Sequence, residues 1–131
     1  MRVTRFSLAL GQPLDTARGR IEAREGALVR VRVDGEAGVG ETTPLPGWTE
    51  PLDEALAALD GATPATPLDD LPPAARHGLA TARLDAAARG DDEPLAAPPA
   101  DGAPAAPVPV TATPGDAPPA RPAGRAREAP A

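Results

Sequence analysis

Four glutamates, one histidine and a glycine-rich pentapeptide are the residues whose types and spacing bear on chemistry. Glu22, Glu25, Glu41 and Glu50 offer carboxylates of the kind that work in pairs as general acid and base. Their spacing sets up no such pair, and solvated charge on a half-exposed sheet is the better reading. His77 is the single histidine. With no HxxE or HxH spacing beside it, a metal site there would need carboxylates for every other ligand, so a helix-face or surface role is expected. Gly38-Val39-Gly40-Glu41-Thr42 lacks both a following helix and the Gly-Lys-Ser/Thr of a phosphate loop. Its glycines are expected to allow a bulge or a close backbone approach beside a strand. There is no Cys, hence no disulfide framework and no thiolate metal site. Taken by themselves, these residues outline no active site.

The rest of the chain sets the frame for them. Its 131 residues suit one domain, but much of the 41 % hydrophobic content is Ala, and the large aliphatic residues lie almost entirely between Val3 and Leu95. All 13 basic residues are Arg, against 19 acids, for a net charge of −6. Residues 1–50 are balanced, so the whole acidic excess falls in 51–131. That sign argues against nucleic acid or an anionic membrane surface as partner. An acidic, Lys-free surface suits molar salt, where a Debye length of about 3 Å screens self-repulsion, so a halophilic source is expected; a merely GC-rich genome is the plainer alternative. No run approaches the roughly 18 apolar residues of a membrane span, and the N-terminus carries no convincing cleavage site, so a cytoplasmic location is expected.

Alternation marks the strands. Residues 3–10 have a ragged period of two, which Gly11-Gln12-Pro13 is expected to break. Val29, Val31 and Val33 fall on one side of a strand with Arg30 and Arg32 on the other, and Asp34-Gly35 turns it into a partner strand, giving a hairpin over 27–43. Thr49 is the expected N-cap of a helix with Pro51 in its first turn, Leu52, Leu56 and Leu59 on one face, and Gly61 at its end. Asp69 or Asp70 is expected to cap a second helix from about 72 to 88, with Ala75, Leu79, Ala82 and Ala86 on one stripe and Gly90 as its stop. Strands followed by helices predict an α+β fold, a three-stranded antiparallel sheet and then helices. Eleven of the 19 prolines lie from Pro94 onward, and the Pro/Ala-rich C-terminal tail is expected to be disordered.

The stretch from Gly19 to Leu59 resembles the N-terminal capping domain of the enolase superfamily, and GETTPLPGWTEPLDE at 40–54 is similar to the corresponding run of o-succinylbenzoate synthases, within a family that includes muconate cycloisomerases and mandelate racemases. PPAARHGLATARLDAAARGDDEPLA at 72–96 resembles the helix that leads to the barrel. VPVTATPGD at 108–116 resembles the first barrel strand, where family members more often carry Asn in place of Thr111.

The resemblance implies a capping domain over 1–96, a linker and vestige of the first barrel strand over 97–116, and a disordered tail over 117–131 whose loss of pattern is that of a frameshift. It implies two mobile lid loops, Gly11–Arg20 and Thr43–Glu50, closing over a barrel's substrate. Arg18, Arg20, Leu45, Pro46, Gly47 and Trp48 are then the substrate-binding candidates. Trp48 is either an apolar wall or hinge of that lid or a core anchor packed against the first helix. The family's chemistry uses Mg2+ and barrel lysines in menaquinone synthesis, and this chain has no Lys. The implied role is therefore a truncated lyase that supplies the lid, inactive alone, with no catalytic or metal-binding residue and no cofactor of its own. Its partners would be a small carboxylate substrate only when a barrel is present, and a second copy through the exposed barrel-facing surface. A non-catalytic capping module, or the same part of a muconate cycloisomerase-like or dipeptide epimerase-like protein, is the alternative.

Overall fold

Valines at alternate positions of one strand need an apolar layer to cover them, and that requirement organises the structure. The computed structural model describes residues 1–45 and 47–95. β1 (Arg2–Thr16), β2 (Gly19–Val33) and β3 (Glu36–Thr42) form an antiparallel sheet in the order β1-β2-β3, followed by α1 (Leu52–Asp60), a short 3-10 turn (Leu68–Asp70) and α2 (Pro73–Gly90). The expected α+β class is the observed one. Among the described residues the chain divides into two units, one with residues 1–8 and 24–95 and the other with residues 9–23. The residues of the expected linker, barrel-strand vestige and tail lie outside those described.

The hairpin over 27–43 forms as its alternation predicts. Val33 pairs with Glu36, and Asp34 and Gly35 both have positive φ, 50° and 92°, as a two-residue type I′ turn requires. Register Val29↔Gly40 and Val31↔Gly38 puts these four residues with Thr42 on one face, buried under α2, while Leu28, Arg30, Arg32 and Val39 share the other. The two glycines serve close approach and not a bulge, since the register is unbroken. A Cβ added to Gly38 would stand 2.0 Å from the Ala82 carbonyl oxygen, and one on Gly40 2.0 Å from that of Gly78. The expected stripe Ala75, Leu79, Ala82 and Ala86 is buried against this face, and Leu59 and Ala55 of α1 complete the core with Leu71.

Three expectations need correction. β1 runs unbroken through Gly11, Gln12 and Pro13; it is an edge strand in the sheet order, and a residue without an N–H is tolerated at an edge. Pro51, not Thr49, is the N-cap of α1, and its carbonyl accepts from the amides of Glu54 and Ala55 at 3.1 Å each. Neither Asp69 nor Asp70 caps α2: its N-cap is Pro72, with no side-chain bond from that residue. Gly61 does close α1, whereas Gly90 is the last residue of α2 and Asp91 its C-cap.

Candidate functional site

Two segments carry the residues singled out from the sequence, the turn after β3 and the tip of the β1–β2 hairpin. The first begins where the sheet ends. Pro44 is buried and Leu45 half-buried, and Gly47 takes φ 79°, the left-handed value that a type II turn needs at its third position. The Trp48 amide closes the turn on the Leu45 carbonyl at 3.0 Å, and the Thr49 amide reaches the same oxygen at 3.4 Å. Trp48 is 71 % exposed, so it is not the core anchor that the sequence left as one alternative. Pro46 lies outside the described residues.

Both ends of this segment are tied to the sheet-and-helix core. Upstream, Arg24 of β2 donates to the carbonyl of Thr43 at 2.9 Å and to that of Pro44 at 3.4 Å. Downstream, Glu50 Oε1 accepts from the amides of Ala74 at 2.8 Å and Ala75 at 3.0 Å. Those are the second and third residues of α2, the donors that a local N-cap side chain would have satisfied. A carboxylate at that end also complements the helix dipole. Glu50 is therefore a partly buried remote cap and not a solvated charge on the sheet. Its second oxygen, Oε2, is buried without a hydrogen-bond partner among the described residues.

The second segment is shaped by short-range bonds. The Thr16 hydroxyl donates to the Gly19 carbonyl at 2.7 Å and accepts from the Arg18 amide at 3.1 Å, around a turn at 17–18 that leads into Gly19 with φ 122°. The Arg20 guanidinium lies 3.5 Å from Asp15 and 3.3 Å from Glu22, all three exposed. The expected loop over Gly11–Arg20 is thus largely paired strand. Sequence reasoning named Arg20 but missed Arg24 and the capping role of Glu50, because both act across about twenty or more residues of sequence.

The remaining chemistry-bearing groups are solvated or structural. His77 is exposed. Gly38–Thr42 lies within strand β3, so it is no phosphate loop. Asp85 accepts from the Val39 amide at 2.8 Å and from Arg89 at 3.1 Å. Burial pushes its carboxyl up, but the Val39 bond and then the bond and charge of Arg89 outweigh that, and it sits below its ordinary value. No three or more His, Cys, Asp or Glu side chains among the described residues are grouped to hold a metal ion. The described residues therefore do not fit the Mg2+ implied by the resemblance. No helix among them is long and apolar enough to cross a membrane.

Solved structures share this architecture. An enolase family member from Agrobacterium tumefaciens with homology to dipeptide epimerases, bound to sodium and L-Ala-L-Glu, is 23 % identical, with a TM-score of 0.76 over 95 % of this chain and 40 % of that one. A mandelate racemase/muconate lactonizing protein from Herpetosiphon aurantiacus is 24 % identical, with a TM-score of 0.55 over 69 % of this chain and 30 % of that one. An o-succinylbenzoate synthase from Thermosynechococcus elongatus BP-1, with Mg in its active site, is 31 % identical over 51 % of this chain and 24 % of that one, at a TM-score of 0.44. No protein-family model matches the chain, and no curated protein matches it. The fold is shared with the enolase family member and the mandelate racemase/muconate lactonizing protein. The chain spans less than half the length of each of these structures.

Proposed function

We propose that this chain supplies the substrate-covering lid of an o-succinylbenzoate synthase-like dehydratase, whose reaction is performed by a barrel. The observation that carries the reading is the exposed Trp48 turn on a sheet-and-helix domain of enolase-superfamily fold, within a run, GETTPLPGWTEPLDE, that resembles o-succinylbenzoate synthases. A lid contributes by covering substrate and excluding water, which strengthens the electrostatic interactions inside the closed site. Trp48 provides an apolar wall for that purpose, and Arg18 and Arg20 at the hairpin tip provide cations for a carboxylate substrate. Proton abstraction and Mg2+ binding are assigned to barrel residues, and no step of the reaction is assigned to this chain. The protein is read as cytoplasmic and halophilic, its acidic excess tolerated where salt is concentrated.

The test is an assay of the purified 131-residue chain with Mg2+ and the cyclohexadiene carboxylate substrate, alone and with a barrel polypeptide translated from the other frames of the downstream DNA. No turnover is expected alone, and dehydration with the barrel. Product formed by the chain alone overturns the reading. Epimerisation of dipeptides by the reconstituted pair moves the protein to that subgroup.

A further inference from the structure

The Trp48 turn is braced in a way that an isolated surface loop is not. Arg24 holds the two carbonyls that precede it, and Glu50, which follows it directly in sequence, holds two amides in the first turn of α2. Both anchors fasten to regular structure. Arg24 belongs to β2, and Ala74 and Ala75 are themselves buried in the core. Between the anchors the Leu45 carbonyl accepts two amides, and Gly47 supplies the positive φ that a tight turn needs. The tip of this braced segment is an exposed indole, so packing of the Trp48 side chain into the core is not what orders it.

We propose that Arg24 and Glu50 are positioning residues that clamp the Leu45–Thr49 turn from its two ends, so that Trp48 is presented to ligand as a fixed apolar platform and not on a mobile flap. The functional meaning of the platform rests on the lid reading; the clamp itself does not. A preorganised wall avoids the ordering cost that a loose loop pays each time it closes on a ligand. Glu50 performs two tasks with one carboxylate: it ends the turn and starts α2, so loss of that group releases both. Arg24 performs one, so its loss releases only the turn.

The chain contains a single Trp, which makes the platform its own reporter. Time-resolved fluorescence anisotropy of Trp48 is measured for the full 131-residue chain and for Arg24→Ala, Glu50→Gln, Glu50→Ala and the Arg24→Ala/Glu50→Ala double variant, with far-UV circular dichroism as the check on folding. In the parent, the fast nanosecond component is expected to be small although acrylamide quenches the exposed indole readily. Arg24→Ala and Glu50→Ala are each expected to raise the amplitude of that component about twofold, and the double variant further. Glu50→Gln retains an oxygen acceptor for Ala74 and Ala75, so it is expected to fall between the parent and Glu50→Ala. An unchanged fast component in Arg24→Ala or in the Glu50 variants, with the circular dichroism retained, overturns the clamp. If Glu50→Ala fails to fold, Arg24→Ala and Glu50→Gln decide the matter on the same criterion. No substrate or barrel enters this experiment, so failure of the clamp and failure of the lid reading are distinguishable.

Discussion

The turn at 43–50 and the hairpin tip at 11–20 resemble the same kind of part, yet they are built on opposite plans. The turn is tied by Arg24 and Glu50 to a strand and a helix of the buried core. The tip is exposed throughout; it is largely paired strand, and the side-chain bonds described there join residues two to five positions apart. Bonds of the first sort survive as long as the core survives. Exposed bonds of the second sort open locally, because their ion pairs are solvated and each contributes less than about 1 kcal/mol. The pair of segments teaches that two candidate loops of one chain can be held by different kinds of bond: one by ties to the core, the other with its side chains bonded close by in sequence.

Substitutions can break or sharpen that contrast. The largest effect is expected from Gly40→Ala, whose new methyl would overlap the Gly78 carbonyl and unseat α2, and with it the Glu50 anchor. A loss of about 3 kcal/mol in urea unfolding is expected, and a loss near zero would show that α2 can shift without cost. Glu50→Ala removes a helix cap at a distance and should cost about 1 kcal/mol in the same measurement. Acid comes next. Because the Asp85 carboxyl is held below its ordinary value, its contribution is complete above about pH 4 and is lost as pH falls through the lower folded-state value. Asp85→Asn should therefore flatten part of the acid limb of a stability–pH curve; an unchanged limb would remove Asp85 from the bracing of α2 against β3. The smallest effect belongs to the tip, where Arg20→Ala is expected to change stability by less than about 0.5 kcal/mol. Were Arg20→Ala to cost as much as Glu50→Ala, the contrast between the two segments would be gone.

What could be read from the sequence was what depends on near neighbours. Alternating valines and Asp34-Gly35 define the hairpin, and the Ala75–Ala86 stripe is the buried side of α2, whereas of the expected Leu52, Leu56 and Leu59 face only Leu59 is buried, beside Ala55. Gly38 and Gly40 announced close approach, though not to which backbone. The errors share one physical origin, which is that a polar group or chain break was assigned the nearest partner. Asp69 and Asp70 stand next to α2, but the cap comes from Glu50, 24 residues earlier. Gly11-Gln12-Pro13 has the composition of a turn, but edge position in the sheet tolerates it as strand. The α+β fold was legible from the order of strands and helices, and the exposed state of Trp48 was not, since an indole in a Pro-Gly context serves a wall or a core equally well.

Only 2 % of this chain is aromatic, and the two-layer arrangement shows how such a composition closes a core at all. With glycine on β3 facing glycine and alanine on α2, main chain rests directly on main chain and the gap between the layers shrinks. A narrow gap needs little filling. Bulk is replaced by proximity, so methyl groups suffice where a wider sandwich would demand phenyl rings, and enlarging any of them would pry the layers apart instead of improving the fit.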